Sequence, residues 1–204
     1  MNDSDCGQIS SEEALNSAKK EPDSTGDAYE YFPDDQGENF TGSELLEIAT
    51  HLKEYGNKAF KSGDLKLALD KYQKGLRYLN EYNASSEDTK ELHKQIKQLR
   101  FTLHSNSSLL QLKLKSYDAA QSSADNALEL GEDGVSDQDR AKAYYRKALA
   151  LLGLKDDEGA VTSLETAQKL APGDAAISKE LGAAKRKAAE HAKKEKAAYK
   201  KFFE

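Results

Sequence analysis

The chain of 204 residues carries 30 Lys/Arg against 36 Asp/Glu, a net charge of −6, with 37% hydrophobic residues, one cysteine and no tryptophan. That apolar share is low for a compact globule but sufficient for a solenoid, in which each unit buries its face on the next. An internal disulfide is excluded, no apolar run spans a membrane, and the acidic balance argues against a nucleic-acid surface of basic and stacking residues.

Residues 1–42 hold eleven acids and two lysines, net −9, with Tyr29, Tyr31, Phe32 and Phe40 as the large aromatics. Such a composition cannot repay its ordering entropy, so an acidic linker is predicted over 1–42, flexible through most of 1–30. The aromatic cluster at 29–36, beside Pro33, fits either a solvated linker or a segment that docks on the remainder. No apolar signal region precedes it and Cys6 stands alone, which points to a reducing, cytoplasmic setting. The Asn-x-Ser/Thr triplets at Asn2, Asn39, Asn83 and Asn106 therefore carry little meaning.

From Glu54 onward the sequence repeats itself. Gly56, Ala59, Gly63, Ala68, Tyr72 and Gly75 recur as Ser108, Tyr117, Ala120 and Ala127, and again as Ala148, Ala160, Leu164, Ala167 and Pro172. Small and aromatic residues at a period near 34 mark paired helices that must approach closely, and the pattern resembles the tetratricopeptide repeat. Three repeats are predicted at about 49–82, 101–134 and 141–174, within a domain at 43–174. The resemblance implies an all-α fold, three helix-turn-helix units in a right-handed superhelical solenoid.

Extra residues separate the repeats. Ser86 to Lys115 lacks Gly and Pro and places Leu92, Ile96, Leu99, Leu103 and Leu110 at helical steps, predicting one helix of roughly 40 Å. The second helix of the first repeat is expected to be long as well. The segment before Arg140 reads as a loop, with Ser136 and Asp139 as a capping box for the helix that follows.

Residues 175–204 carry nine Lys/Arg and four acids, net +5. They predict one long capping helix started by Asp174, with Ile177, Leu181, Ala184, Ala188, Ala192 and Tyr199 as its apolar stripe. Its first half should cover the last repeat. The basic second half fits a solvated extension, or a second contact with calmodulin, an acidic chaperone surface or anionic lipid.

Five polar residues fall in frame with the repeat. Lys53 and Asn57 are four apart, as are Lys142 and Arg146, so each pair projects from one face of a first helix; Asn106 occupies the first helix between them. Cationic groups on either side, Lys53 on one and Lys142 and Arg146 on the other, with neutral amide donors between them suit two neighbouring carboxylates, as at a C-terminal aspartate. Each residue resembles, position by position, the carboxylate clamp of tetratricopeptide co-chaperones, which holds peptides ending in Glu-Glu-Val-Asp. Phe60 and Lys113 match auxiliary peptide-contacting positions of the same family. His51, His93, His104 and His191 show no ligand spacing with Cys6 or with one another, so neither a metal nor any other cofactor is expected.

Most of the chain is similar to the C-terminal half of the cyclophilin-40 class of peptidyl-prolyl isomerases. Asp5-Cys6-Gly7 resembles the end of their isomerase domain, Phe32-Pro33-Asp34-Asp35 their interdomain linker, the long middle helix theirs, and the ending EKAAYKKFFE their terminal helix. The resemblance implies a co-chaperone of the 90-kDa heat-shock chaperone; another immunophilin or adaptor, or preference for the 70-kDa chaperone, is the alternative. Met1 immediately before a domain-end motif suggests an isomerase-less product or fragment. No proline isomerase activity is expected of the chain, which a tetrapeptide isomerisation assay checks.

Overall fold

The computed structural model describes residues 40–84, 88–131 and 134–203, the side chains of 200–203 excepted. The acidic residues 1–39, including the 29–36 aromatic cluster, lie outside it. Seven helices make up the described chain: α1 (Gly42–Ser62), α2 (Leu65–Asn80), α3 (Lys90–Lys113), α4 (Tyr117–Glu129), α5 (Asp137–Gly153), α6 (Asp157–Leu170) and α7 (Ala175–Phe203). There is no strand among the described residues.

Each helix packs on its neighbour in sequence, and the first helices of successive pairs also touch, α1 on α3 and α3 on α5. That second set of contacts aligns α1, α3 and α5 in one layer, backed by α2, α4 and α6. In α1 the apolar spacing dictates the buried face: Leu45, Ile48, Ala49, Leu52, Gly56 and Ala59 all point into the core. Small residues set the close approaches. Ala68, Ala120, Ala127, Ala148, Ala160 and Ala167 are fully buried, and a Cβ on Gly75 would lie 3.2 Å from Leu103 Cδ1 across the α2–α3 contact.

One turn design recurs three times. The residues between paired helices, Gly63, Lys115 and Lys155, have φ of 89°, 60° and 67°. At each, the next amide reaches back to a carbonyl five residues earlier: Asp64 N to Ala59 O at 3.0 Å, and Ser116 N to Gln111 O and Asp156 N to Leu151 O at 2.9 Å. This is the left-handed Schellman termination, which favours glycine because a Cβ is strained there. Asp64 and Asp156 then cap the second helix through their carboxylates, whereas Ser116 makes no such side-chain bond.

Helix starts depart from the repeat starts at 49, 101 and 141. Thr41, Thr89 and Ser136 cap α1, α3 and α5, so every first helix is prolonged at its N-terminus. The helix expected from Ser86 to Lys115 is correspondingly trimmed to Lys90–Lys113, about 36 Å, because Thr89 Oγ1 accepts from Leu92 N at its start and Lys115 leaves the helical region at its end. α2, with 16 residues, exceeds α4 and α6 by only two or three. Ser136 caps α5 by accepting from Asp139 N at 3.1 Å, and its hydroxyl donates to Asp139 Oδ2 at 2.8 Å; this takes the place of the side-chain-to-backbone return bond of the expected capping box, which Thr41 and Glu44 form at α1.

The terminal helix α7 begins behind Asp174, whose carboxylate accepts from Ala176 N and Ile177 N at 2.8 and 3.2 Å. Ile177, Leu181 and Ala184 pack on Ala148, Leu151, Leu164 and Ala167 of the α5–α6 pair. The stripe ends sooner than its sequence suggests: Ala188 is half-buried, Ala192 is exposed and Tyr199 is 68% exposed. Length explains this, since α6 is about 21 Å long and α7 about 43 Å, so the distal half of α7 runs past the end of α6. Where the stripe fails, the buried Asp157 carboxylate takes over, meeting Lys187 Nζ at 2.7 Å and His191 Nδ1 at 2.6 Å.

Candidate functional site

The α1, α3 and α5 layer carries all seven predicted residues. Tyr72, from α2 behind it, supplies the connection. Its ring is 3% exposed and packs where a Cβ on Gly56 would clash, so glycine at 56 lets α2 approach α1 closely enough for the tyrosine to pass between. The hydroxyl emerges beside the amides and donates to Asn57 Oδ1 at 2.7 Å. Burial raises the Tyr72 pKa, opposed by the Arg146 charge and by a hydrogen bond from Asn106. Asn57, Asn106 and Arg146, from three different first helices, thus meet around one phenol.

Arg146 is half-buried. Its Nη1 donates to the Ser105 carbonyl at 2.7 Å and to the Ser105 hydroxyl, both neutral acceptors on α3. Desolvation lowers its pKa, and the Asp139 carboxylate and Tyr72 only partly oppose that. A guanidinium stays charged at any working pH. It is therefore a partly desolvated cation bonded to neutral groups, an arrangement that a further anion would relieve.

One turn away on α5, Lys142 projects into solvent, and its Nζ pairs with Asp139 Oδ1 at 3.0 Å. Both side chains are about half exposed, so the pair is worth little and exchanges readily for another carboxylate. The Ser136 hydroxyl holds the Asp139 pKa down despite partial burial, with Lys142 and Arg146 adding to the effect. On α1, Lys53 lines an open groove of about 330 Å³ against α3, with Thr50, Gln98 and Thr102 among its other walls. Thr102 is one turn before Asn106 on α3. At the opposite end Lys113 Nζ stands 5.8 Å from the centre of the Phe60 ring, a cation–π contact that joins the two auxiliary residues across α1 and α3.

Amide, guanidinium and ammonium donors thus share one layer, with the Asp139 carboxylate beside Lys142 and Arg146. Tyr72 and Ser105 were not legible as site residues. Tyr72 carries the repeat's aromatic signature, which reads as packing; its hydroxyl acts only once α2 lies against α1. Among the described residues no group of three His, Cys, Asp or Glu side chains is placed to hold a metal. No described helix is long and apolar enough to cross a membrane.

The fold is a tetratricopeptide-repeat solenoid. It superposes on the C-terminal tetratricopeptide-containing domain of a putative FK506-binding protein of Plasmodium falciparum with a TM-score of 0.66, at 24% identity, covering 76% of this chain and 97% of that one. It also resembles the first such domain of Spaghetti (RPAP3), solved bound to the HSP90 peptide SRMEEVD, with a TM-score of 0.56 and 27% identity over 71% of this chain and 95% of that one.

In sequence, the chain is 36% identical over 198 residues, 94% of its length, to peptidyl-prolyl cis-trans isomerase D of Cryptococcus neoformans. It spans about half the length of the curated relatives it matches, 52% of that protein. No protein-family model matches the sequence.

Proposed function

We propose that the chain is a docking module that binds the acidic C-terminal tail of the 90-kDa heat-shock chaperone, through a carboxylate clamp of Lys53, Asn57, Asn106, Lys142 and Arg146. The single observation that carries this reading is Arg146, half-buried and bonded to neutral Ser105 beside the amide pair, a cation placed for an incoming carboxylate. The RPAP3 domain with the same fold holds a peptide of that chemistry. Similarity to isomerase D supports a role in tethering a peptidyl-prolyl isomerase of the cyclophilin-40 class to the chaperone, in the cytoplasm, with no cofactor and with docking rather than catalysis done by this chain. The 70-kDa chaperone, whose tail ends in the same four residues, is the alternative partner. Phe60 and Lys113 contact the peptide upstream of its terminus.

The energetics suit a reversible complex. Charge-assisted hydrogen bonds contribute about 1.5–3 kcal/mol each, and micromolar affinity needs about 8 kcal/mol, so a handful of clamp bonds with one apolar contact suffices. Lys142→Ala and Arg146→Ala should each weaken SRMEEVD binding at least tenfold by titration calorimetry, with helicity unchanged. Unaltered titration curves in both variants would remove the clamp.

A further inference from the structure

We infer that the Tyr72 hydroxyl sets the polarity of the Asn57 amide, and so makes the site selective for a carboxylate over a carboxamide. The inference rests on the clamp reading above and goes beyond it, since a tyrosine from a second helix belongs to none of the five polar positions.

An asparagine amide has two faces, one donating and one accepting, and nothing in its shape prevents it from turning end for end. A carboxylate ligand accepts only, so it is attracted by the NH₂ end and repelled by the carbonyl oxygen. Asn57 therefore needs its carbonyl oxygen engaged elsewhere. Tyr72 does this: its one proton goes to Asn57 Oδ1 at 2.7 Å, which leaves the Asn57 NH₂ for the groove. The Asn106 side chain lies beside the same phenol, whose pKa it helps to lower. The nearby Arg146 charge opposes the burial-driven rise in the phenol pKa. The bond from Tyr72 O–H to Asn57 C=O therefore runs in one direction.

Its orientation is fixed by packing rather than by solvent. The ring is almost wholly buried, and a Cβ on Gly56 would collide with it. Removing the oxygen alone, as in Tyr72→Phe, keeps the ring and frees the Asn57 amide to turn. The variant should lose affinity for an acidic chain end while gaining tolerance of a neutral one, because a turned Asn57 accepts a hydrogen bond from a carboxamide NH₂.

The test is calorimetric titration of the full chain and of Tyr72→Phe with SRMEEVD as free acid and as C-terminal amide, together with Asn57→Ala in both backgrounds. The wild type should prefer the acid at least tenfold. In Tyr72→Phe the acid should bind about three- to tenfold more weakly, the range of one neutral hydrogen bond, and the acid-to-amide preference should fall at least threefold. Asn57→Ala should then cost less than twofold further, because the two residues act as a unit. A preserved acid-to-amide ratio, or losses that multiply independently, overturns the positioning role even if overall affinity drops. Should the wild type bind acid and amide equally, the clamp reading itself fails, which is a separate outcome. Circular dichroism melts of the variants identify any loss caused by unfolding.

Discussion

At the scale of single residues, partial burial gives two cationic or titratable groups on the first-helix layer very different meanings. Arg146 cannot shed its proton, so its desolvation is tension that a ligand can relieve. His104, on α3 one turn from Arg100, can: burial first and the Arg100 charge second push its pKa down to about 4. In the unfolded chain the same imidazole titrates near 6.5. The unfolded state therefore takes up the proton first as pH falls, and the stability present above pH 6.5 drains away between there and about pH 4. A shift of that size corresponds to at most on the order of 3 kcal/mol. Urea unfolding at pH 7.5 and pH 4 should show a smaller acid loss in His104→Gln than in the wild type; equal losses in the two would place the acid sensitivity elsewhere.

At the scale of elements, the three interhelical turns share one backbone and differ in chemistry. Gly63 adopts φ of 89° without strain, whereas Lys115 and Lys155 hold the left-handed conformation with a full side chain. The left-handed region costs a residue with a Cβ about 1–2 kcal/mol, part of which glycine gives back as unfolded-state entropy. Lys115→Gly and Lys155→Gly should each stabilise the fold by about 0.5–1 kcal/mol, read as a higher urea midpoint at constant slope. A lower midpoint in both would show that the lysine side chains hold the turns by contacts that outweigh backbone strain. The terminal helix shows a second contrast. Apolar packing through Ala184 and the Asp157 contacts with Lys187 and His191 fix its first half, and residues 192–199 stand exposed.

At the scale of the whole molecule, much of the architecture was legible because helix pairing selects small residues at fixed steps. Ala68, Ala120, Ala148, Ala160 and Ala167 were landmarks in the sequence and are fully buried in the fold. Helix starts were less legible. Nothing between 86 and 100 breaks a helix, and Thr89 caps α3 without the acidic residue three positions on that would advertise it, Leu92 standing there instead. The distal stripe of α7 departs from expectation for a related reason: Ala192 and Tyr199 have helical spacing, but both stand exposed past the end of α6. The polar frame of the site followed from i,i+4 spacing on first helices. Tyr72 and Ser105 did not, because their roles exist only once α2 and α3 bring them beside Asn57 and Arg146.

The proposed place of binding for an acidic chain end is the α1, α3 and α5 layer, around Tyr72. Nuclear magnetic resonance of the labelled chain titrated with SRMEEVD addresses it directly, through the side-chain NH₂ signals of Asn57 and Asn106 and the guanidinium signal of Arg146. These three should shift together along one saturable curve, with the backbone amides near Lys53 and Lys142 following. Shifts confined to the outer helices α2, α4 and α6 or to α7, with those three signals unmoved, would contradict the account.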